Sequence, residues 1–440
     1  MKIYKKVLDN NMTIAIAPMS KSLTVTAGFF VKAGGRNETD ENNGIAHFLE
    51  HMMFKGTVSK TSHELITEMS IMGIDWNAYT TNDETVYYMN GDSIDTKRIL
   101  KICIDIYMNS SLPIKEIEKE KKVIIEERRL HNDNPFSKIW RMINKKMFKG
   151  TSLERDLIGS ENNINNFRRS DFINFRKQYY QPCNSVFVIA GNVNPKLIME
   201  LISKPLSKIP NTLVNPDENH EEEVKKILKN MLSQDNAYIE VKSNFLLQQA
   251  YVIIIFPMYD LYMDFYNEID IISDMLTKGL NSRLNNALRE NEGITYGISS
   301  SVIDCNGASL FTIQFVAHPN QLEIGLKIIL KELKKLKRNG INNLELKKII
   351  AQRKNEILFK STSSYAVFEQ VGSSILWNHG SDMVIEENIV HAKKYLRNIK
   401  KVSSESIAEI AKKIFKQSKL NIFMYGNIHE EKFDSLNGIL

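Results

Sequence analysis

Cysteine is nearly missing from this sequence. The three present in 440 residues, Cys103, Cys183 and Cys305, are scattered, odd in number and without a C-x-x-C pair. That argues against a disulfide framework or a thiolate zinc site and suits a reducing compartment. Long apolar runs are missing too: the longest, AYVIIIFPM (250–258), is too short to span a bilayer, so no membrane insertion is expected. The first residues, MKIYKKVLDNNMTIAIAPMS, lack the apolar core of a signal peptide and any evident transit signal. They are expected to form two short strands around Asn10-Asn11. Location in the cytoplasm or another reducing compartment is therefore expected. A large charge of one sign is also absent, since 58 basic residues against 52 acidic ones leave only +6. Lysine runs such as KELKKLKRN (331–339) read as solvated helix faces. Without interleaved aromatic residues they argue against a nucleic-acid surface. No G-x-S-x-G and no cysteine-based motif marks a nucleophile.

What is there describes a globular protein: 42% hydrophobic and 25% charged residues. The length exceeds what one hydrophobic core usually organises, so two domains are expected. The charged stretch NPDENHEEEVKKILKN (215–230) reads as part of a linker over 215–235, separating domains at 1–214 and 236–440. The two halves run a similar course. Each opens on β-rich runs (23–34; 238–256) and continues through two helices (roughly 44–54 and 61–72; 262–277 and 281–290). Strands follow at 76–90 and 297–316, then long amphipathic helices including 115–130 and 321–336. Each half ends on a β-rich run, NSVFVIAGNV (184–193) or KLNIFMYGNI (419–428). The expected fold class is α+β, a tandem duplication of a sheet-plus-helices domain of about 200 residues.

One segment concentrates chemistry. GIAHFLEHMMFKGT (44–57) spends two of the chain's nine histidines, His47 and His51, one helical turn apart around Glu50. Residues i and i+4 share a helix face, so both imidazoles can converge on one metal ion. A catalytic zinc takes three protein ligands and a water. A carboxylate at Glu50, near that water, can accept its proton and pass it to a leaving amine. H-x-x-E-H arises by chance in about one chain in a hundred of this length, and Gly44 with the strand upstream supplies the setting a real site needs. A third ligand is expected from a carboxylate on KEIEKEKKVIIEERRL (115–130), where spacing leaves Glu118, Glu126 and Glu127 open.

HFLEH followed by Glu127, 76 residues after His51, resembles the inverted zinc motif of the pitrilysin/insulinase family of metallopeptidases, in its short, processing-peptidase-like branch. The resemblance implies Glu127 as third ligand of one zinc per chain and Glu120 as a residue supporting the site from behind a ligand. GIDWNAYTTNDETVYY (73–88) resembles the family's edge strand, implying that Asn77, Ala78 and Tyr79 hold an extended substrate through main-chain hydrogen bonds. FKGTSLERDLIGSENNI (148–164) is similar to the processing-peptidase branch. GLNSRLNNALRENEGITYGI (279–298) resembles the segment in which an Arg and a Tyr, here Arg289 and Tyr296, grip the substrate carbonyl and stabilise the oxyanion.

Together these imply a zinc-dependent metalloendopeptidase that cleaves short or unfolded peptides, with water activated by Glu50. The alternative is a catalytically silent scaffold or core subunit of the same fold, which the complete set His47, Glu50, His51 and Glu127 argues against. Relatives that read an arginine in a presequence carry acidic residues where this chain has Ser137 and Arg141, so that preference is not expected here. The basic pair before the segment's glycine is replaced by Asn291 and Glu292. The second half has no H-x-x-E-H. In the short branch the Arg/Tyr segment comes from a partner chain, so a homodimer, or a heterodimer with a homologous subunit, is expected. His63 and His131 are expected at the surface or as caps.

Overall fold

The computed structural model describes residues 2–211, 220–259, 261–304, 309–377 and 397–429, with positions 433, 436, 439 and 440. Cys305 and the first part of the expected linker, 215–219, lie outside the described residues. In chain order the strands are β1 (Tyr4–Val7), β2 (Thr13–Pro18), β3 (Thr24–Val31), β4 (Asp75–Thr80), β5 (Thr85–Asp92), β6 (Ser185–Gly191), β7 (Tyr238–Ser243), β8 (Ala250–Tyr259), β9 (Ile298–Asp304), β10 (Ser309–Ala317) and β11 (Asn421–Gly426). The helices that matter here are α1 (Ile45–Met53), α2 (Ser62–Ile71), α3 (Thr96–Asn109), α4 (Ile114–Asp133), α5 (Pro135–Met147), α6 (His220–Leu232), α7 (Leu261–Thr277), α8 (Leu322–Asn339), α9 (Asn343–Lys360), α10 (Ser364–Trp377) and α11 (Ser404–Ile414).

The chain forms two compact units, each built from separate stretches of sequence. The first holds residues 2–129, 155–211 and 356–377. Its six-stranded sheet has the order β1-β2-β6-β3-β5-β4, antiparallel except for the β2/β6 pair. One face packs Ile14, Val25, Phe29, Tyr87 and Phe187 against α1, α3 and neighbouring helices. The other face, with Phe30, Val86, Val186 and Val188, is covered by Val367, Phe368, Val371 and Ile375 of α10. Burial on both faces explains why β3 and β6 are nearly continuous apolar runs rather than alternating ones. The approach of α10 is close enough that a Cβ at Gly372 would sit 2.0 Å from the Phe30 ring, so that position has room only for glycine.

The second unit, drawn from the described residues within 130–154, 220–355 and 397–440, carries a five-stranded sheet ordered β7-β11-β8-β10-β9. Val252, Ile254, Phe256, Phe311 and Ile313 face α7, α8 and α11, and Ile253, Ile255 and Phe423 face α5 and α6. Each sheet takes all its strands from one side of the expected 215–235 linker, but each is completed by a helix from the other side. Within the described part of that stretch, 220–235, residues 220–232 form α6 with Ile227 and Met231 buried. The helix expected at 281–290 is a six-residue π-helical turn, Asn285–Glu290. No helix among the described residues is long and apolar enough to cross a membrane.

Candidate metal centre

Helix α1 is short and mostly buried: Ile45, Ala46, Phe48, Leu49, Met52 and Met53 pack into the core of the first unit. That fixes its rotation and leaves His47, Glu50 and His51 along the remaining stripe. Its N-terminus begins at Gly44, whose φ of +99° and whose contact with the Ile158 carbonyl (2.5 Å from an added Cβ) exclude a side chain. The cap comes from a distance. The buried carboxylate of Glu38 accepts from the N–H of Gly44 (2.9 Å), the N–H of Ala46 (2.8 Å) and Nδ2 of Asn43 (2.8 Å), satisfying helix donors that nothing else reaches. Burial, only partly offset by these bonds and by Arg155, raises the Glu38 pKa to about 7.

Helix α4 brings Glu127 to the two imidazoles. His47 Nε2 lies 3.5 Å from Oε1 and His51 Nε2 lies 3.4 Å from Oε2. Hydrogen bonds run at about 2.7–3.2 Å. Both separations are longer than that, and they run to the two different oxygens of the one carboxylate. The three ligand atoms lie within 4.8 Å of one another. Of the other carboxylates on this helix left open by spacing, Glu118 pairs with Lys121 and the exposed Glu126 with Arg129.

Glu120 sits one layer further in. It is buried and bonds His51 Nδ1 through Oε1 (3.0 Å) and Lys55 Nζ through Oε2 (2.7 Å). Donation of Nδ1–H to Glu120 would leave Nε2 of a neutral His51 free to hold a metal ion. Burial works against charge on His51, but the hydrogen bond to Glu120 and the carboxylates of Glu127 and Glu50 outweigh it and raise the pKa to about 9. The adjacent imidazoles of His47 and His51 hold Glu127 well below the usual carboxylate range despite burial. The rise at His51 expresses the carboxylates gathered around it, a field suited to a divalent cation. Two imidazoles and a carboxylate, one ligand atom of each within 4.8 Å of the others, form a donor set that fits zinc.

Glu50 points toward the sheet edge, where its Oε2 accepts from Thr80 Oγ1 at 2.8 Å. Thr80 closes β4, the outermost strand, which carries Asn77, Ala78 and Tyr79. Asn77 Oδ1 accepts from the Ala78 N–H (2.8 Å), and the Tyr79 hydroxyl donates to Glu369 of α10 (2.9 Å). Arg289 and Tyr296 belong to the second unit. The guanidinium lies 5.2 Å from the Tyr296 ring centroid, and both border a cavity of about 480 Å³ with Gln249, Thr295, His318 and Gln321. Tyr296 is 90% exposed. Ser137 is buried on α5 beside His131 (3.3 Å), and Arg141 bonds Asn132. His63 is exposed.

Residues 13–161 match the family described as Insulinase (Peptidase family M16), and residues 166–353 match its companion, Peptidase M16 inactive domain. The chain belongs to the M16 (insulinase/pitrilysin) peptidase family. M16 relatives include an uncharacterized zinc protease of Bacillus subtilis, 26% identical over 87% of this chain and 88% of that one. The mitochondrial-processing peptidase subunit beta of Lentinula edodes is 35% identical over 46% of this chain and 44% of its own length. The M16 fold is seen in a protease from Helicobacter pylori, with a TM-score of 0.84, 21% identity and coverage of 97% and 99% of the two chains.

Several residues of the candidate site escaped the sequence reading. Glu38 and Thr80 sit in polar stretches indistinguishable by composition from solvated loops, and Lys55 follows the apolar run Met52-Met53-Phe54 with nothing to mark its partner. Arg128, beside Glu127, donates to the Gly159 carbonyl (2.5 Å) and pairs with Asp156. It ties α4 to the 155–163 loop that also props the start of α1 through Asn43. The only available signal was positional, in the segment 148–164 singled out by resemblance.

Proposed function

We propose that this protein is a zinc-dependent endopeptidase acting on short or unfolded peptides. The observation that carries the reading is the convergence of His47, His51 and Glu127, one ligand atom of each within 4.8 Å of the others, with Glu50 anchored to the end of an open sheet edge. His47, His51 and Glu127 would hold one zinc per chain. When bound, the ion supplies a Lewis acid and a water that ionises near neutral pH. Glu50 is the proton carrier: its carboxylate takes a proton from the attacking water and returns it to the departing amine nitrogen. Thr80 holds that carboxylate in one orientation. Glu120 fixes the His51 ring and its tautomer. A peptide adds to β4 along Asn77, Ala78 and Tyr79, competing with Asn77 for the Ala78 N–H, so affinity comes mainly from main chain. From the family resemblance, Arg289 and Tyr296 of a second copy, or of a homologous subunit, grip the scissile carbonyl.

The test is cleavage of a mixture of unstructured peptides by wild type, with and without chelator, beside Glu50→Gln. Chelator-sensitive activity restored by zinc and lost in Glu50→Gln is expected, with zinc still bound by the variant. Zinc binding without any cleavage would instead favour a scaffold. Mixing Glu50→Gln with Arg289→Ala chains under subunit exchange should restore activity if the grip is supplied in trans.

A further inference from the structure

The second unit contains a counterpart of the metal centre, and its place is filled. Asp270 and Asp274 lie 28 and 24 residues before Ile298, the first residue of edge strand β9. His47 and His51 lie 28 and 24 residues before Asp75, the first residue of edge strand β4. Arg353 follows Leu322, the start of α8, by 31 residues, as Glu127 follows Thr96, the start of α3, by 31. Helix α7 thus corresponds to α1 and α9 to α4. The correspondence extends to Glu50. Ser273, three residues after Asp270, bonds Ser300 on β9 (2.9 Å), as Glu50 bonds Thr80 on β4.

Where the first unit converges two imidazoles and a carboxylate, the second converges two carboxylates and a guanidinium. Arg353 Nη1 lies 2.8 Å from Asp270 Oδ2, its Nε 2.5 Å from Asp274 Oδ2, and its Nη2 donates to the Asp270 carbonyl at 2.9 Å. Tyr262 donates to Asp270, and Lys278 flanks Asp274. The three principal side chains are each less than a quarter exposed. An i,i+4 pair of carboxylates turned inward on one helix face needs a cation. Here the cation is covalently part of the chain.

We infer that Arg353 takes, in the second unit, the role that the metal ion takes in the first: an internal, non-exchangeable cation that ties α9 to α7. The substitution set is chemically consistent. Neutral imidazoles suit zinc, whereas a fixed monovalent guanidinium requires anionic partners in a forked geometry. With Ser273 in place of a carboxylate, the counterpart also lacks a proton carrier, so the unit is closed to both metal and hydrolysis. The inference rests on the reading of the first unit as a metal centre for its analogy, but its test does not.

The full-length Arg353→His variant removes the internal cation and leaves an imidazole facing two carboxylates, a donor set that accepts zinc. Zinc per chain is measured by mass spectrometry after dialysis against excess zinc, for wild type, Arg353→His and Arg353→Lys. The expected result is one more zinc in Arg353→His than in wild type and none gained in Arg353→Lys, whatever number wild type itself binds. A folded Arg353→His chain with wild-type stoichiometry overturns the inference. Should that variant fail to fold, hydrogen exchange of wild type decides. Chelation should expose peptides from α1 and α4 and leave those from α7 and α9 unchanged; chelator-dependent exchange in α7 and α9 would refute a metal-free tie. If wild type binds no zinc yet the variant gains one, the first-unit reading fails while this one stands.

Discussion

Replacing Glu120 by Gln isolates the electrostatic support behind His51 with almost no change of shape. The carboxylate is 6% exposed at its side chain and holds His51 Nδ1 at 3.0 Å and Lys55 at 2.7 Å. A hydrogen bond to a charged group contributes about 1.5–3 kcal/mol net, a neutral one about 0.5–1.5. The amide keeps an acceptor for Nδ1–H but loses the charge, a loss of about 1–1.5 kcal/mol and hence roughly tenfold in zinc affinity. Within the 10–100-fold range typical of such partners, the low end applies because the bond survives in neutral form. The assay is competition for zinc against a chromophoric chelator at pH 7.5, with Glu126→Gln, an exposed residue paired with Arg129, as control. Glu120→Gln should weaken binding about tenfold and the control should not. An affinity within twofold of wild type in Glu120→Gln, while Glu127→Gln abolishes binding, would refute the claim that the Glu120 charge supports His51 as a ligand.

Thr80→Val removes the hydroxyl that orients Glu50; because Glu50 is only partly buried, the low end of the charged-bond range applies. Peptidase kcat should fall about tenfold, with zinc affinity unchanged and activity recovered in Thr80→Ser. Glu38 carries a sign that can be worked out. Its folded pKa, about 7, is above the ordinary 4.5, so its neutral form is favoured on folding. Stability from this group is fully present below about pH 4.5 and is lost as pH rises through 7, by about 3 kcal/mol for a shift of this size. The difference in urea stability between Glu38→Gln and wild type should therefore grow in favour of the variant from pH 5 to pH 8. A pH-independent difference would show that the cap is ionised throughout.

Much of the first unit was legible because its signals are periodic and local. The pair His47/His51 follows from helix geometry alone, and β3, β4 and β5 from their flanking turns. Glu127 was not separable from Glu118 and Glu126 by spacing; resemblance named it, and packing of α4 turns its carboxylate, rather than theirs, to the imidazoles. The exchange of α5 and α10 was illegible for a different reason. An amphipathic pattern reports that a helix has an apolar face, never which sheet that face will cover. Glu38 was hidden in RNETDENNG, where a carboxylate destined for burial has the same neighbours as one left in water. The correspondence of Asp270, Asp274 and Arg353 with the metal centre was equally invisible, since its residues share no type with those they match.

The exchange of covering helices sets an order of events during synthesis. The strands of the first sheet are complete once Gly191 has been made, yet the helix that covers Phe30, Val86 and Val188 begins only at Ser364. At about 5–20 residues per second, the gap of roughly 170 residues leaves an apolar sheet face bare on the ribosome for about 10–35 s. The half bearing the candidate metal centre cannot finish folding as it emerges; it must wait, or be sheltered, until almost all of its twin has been translated.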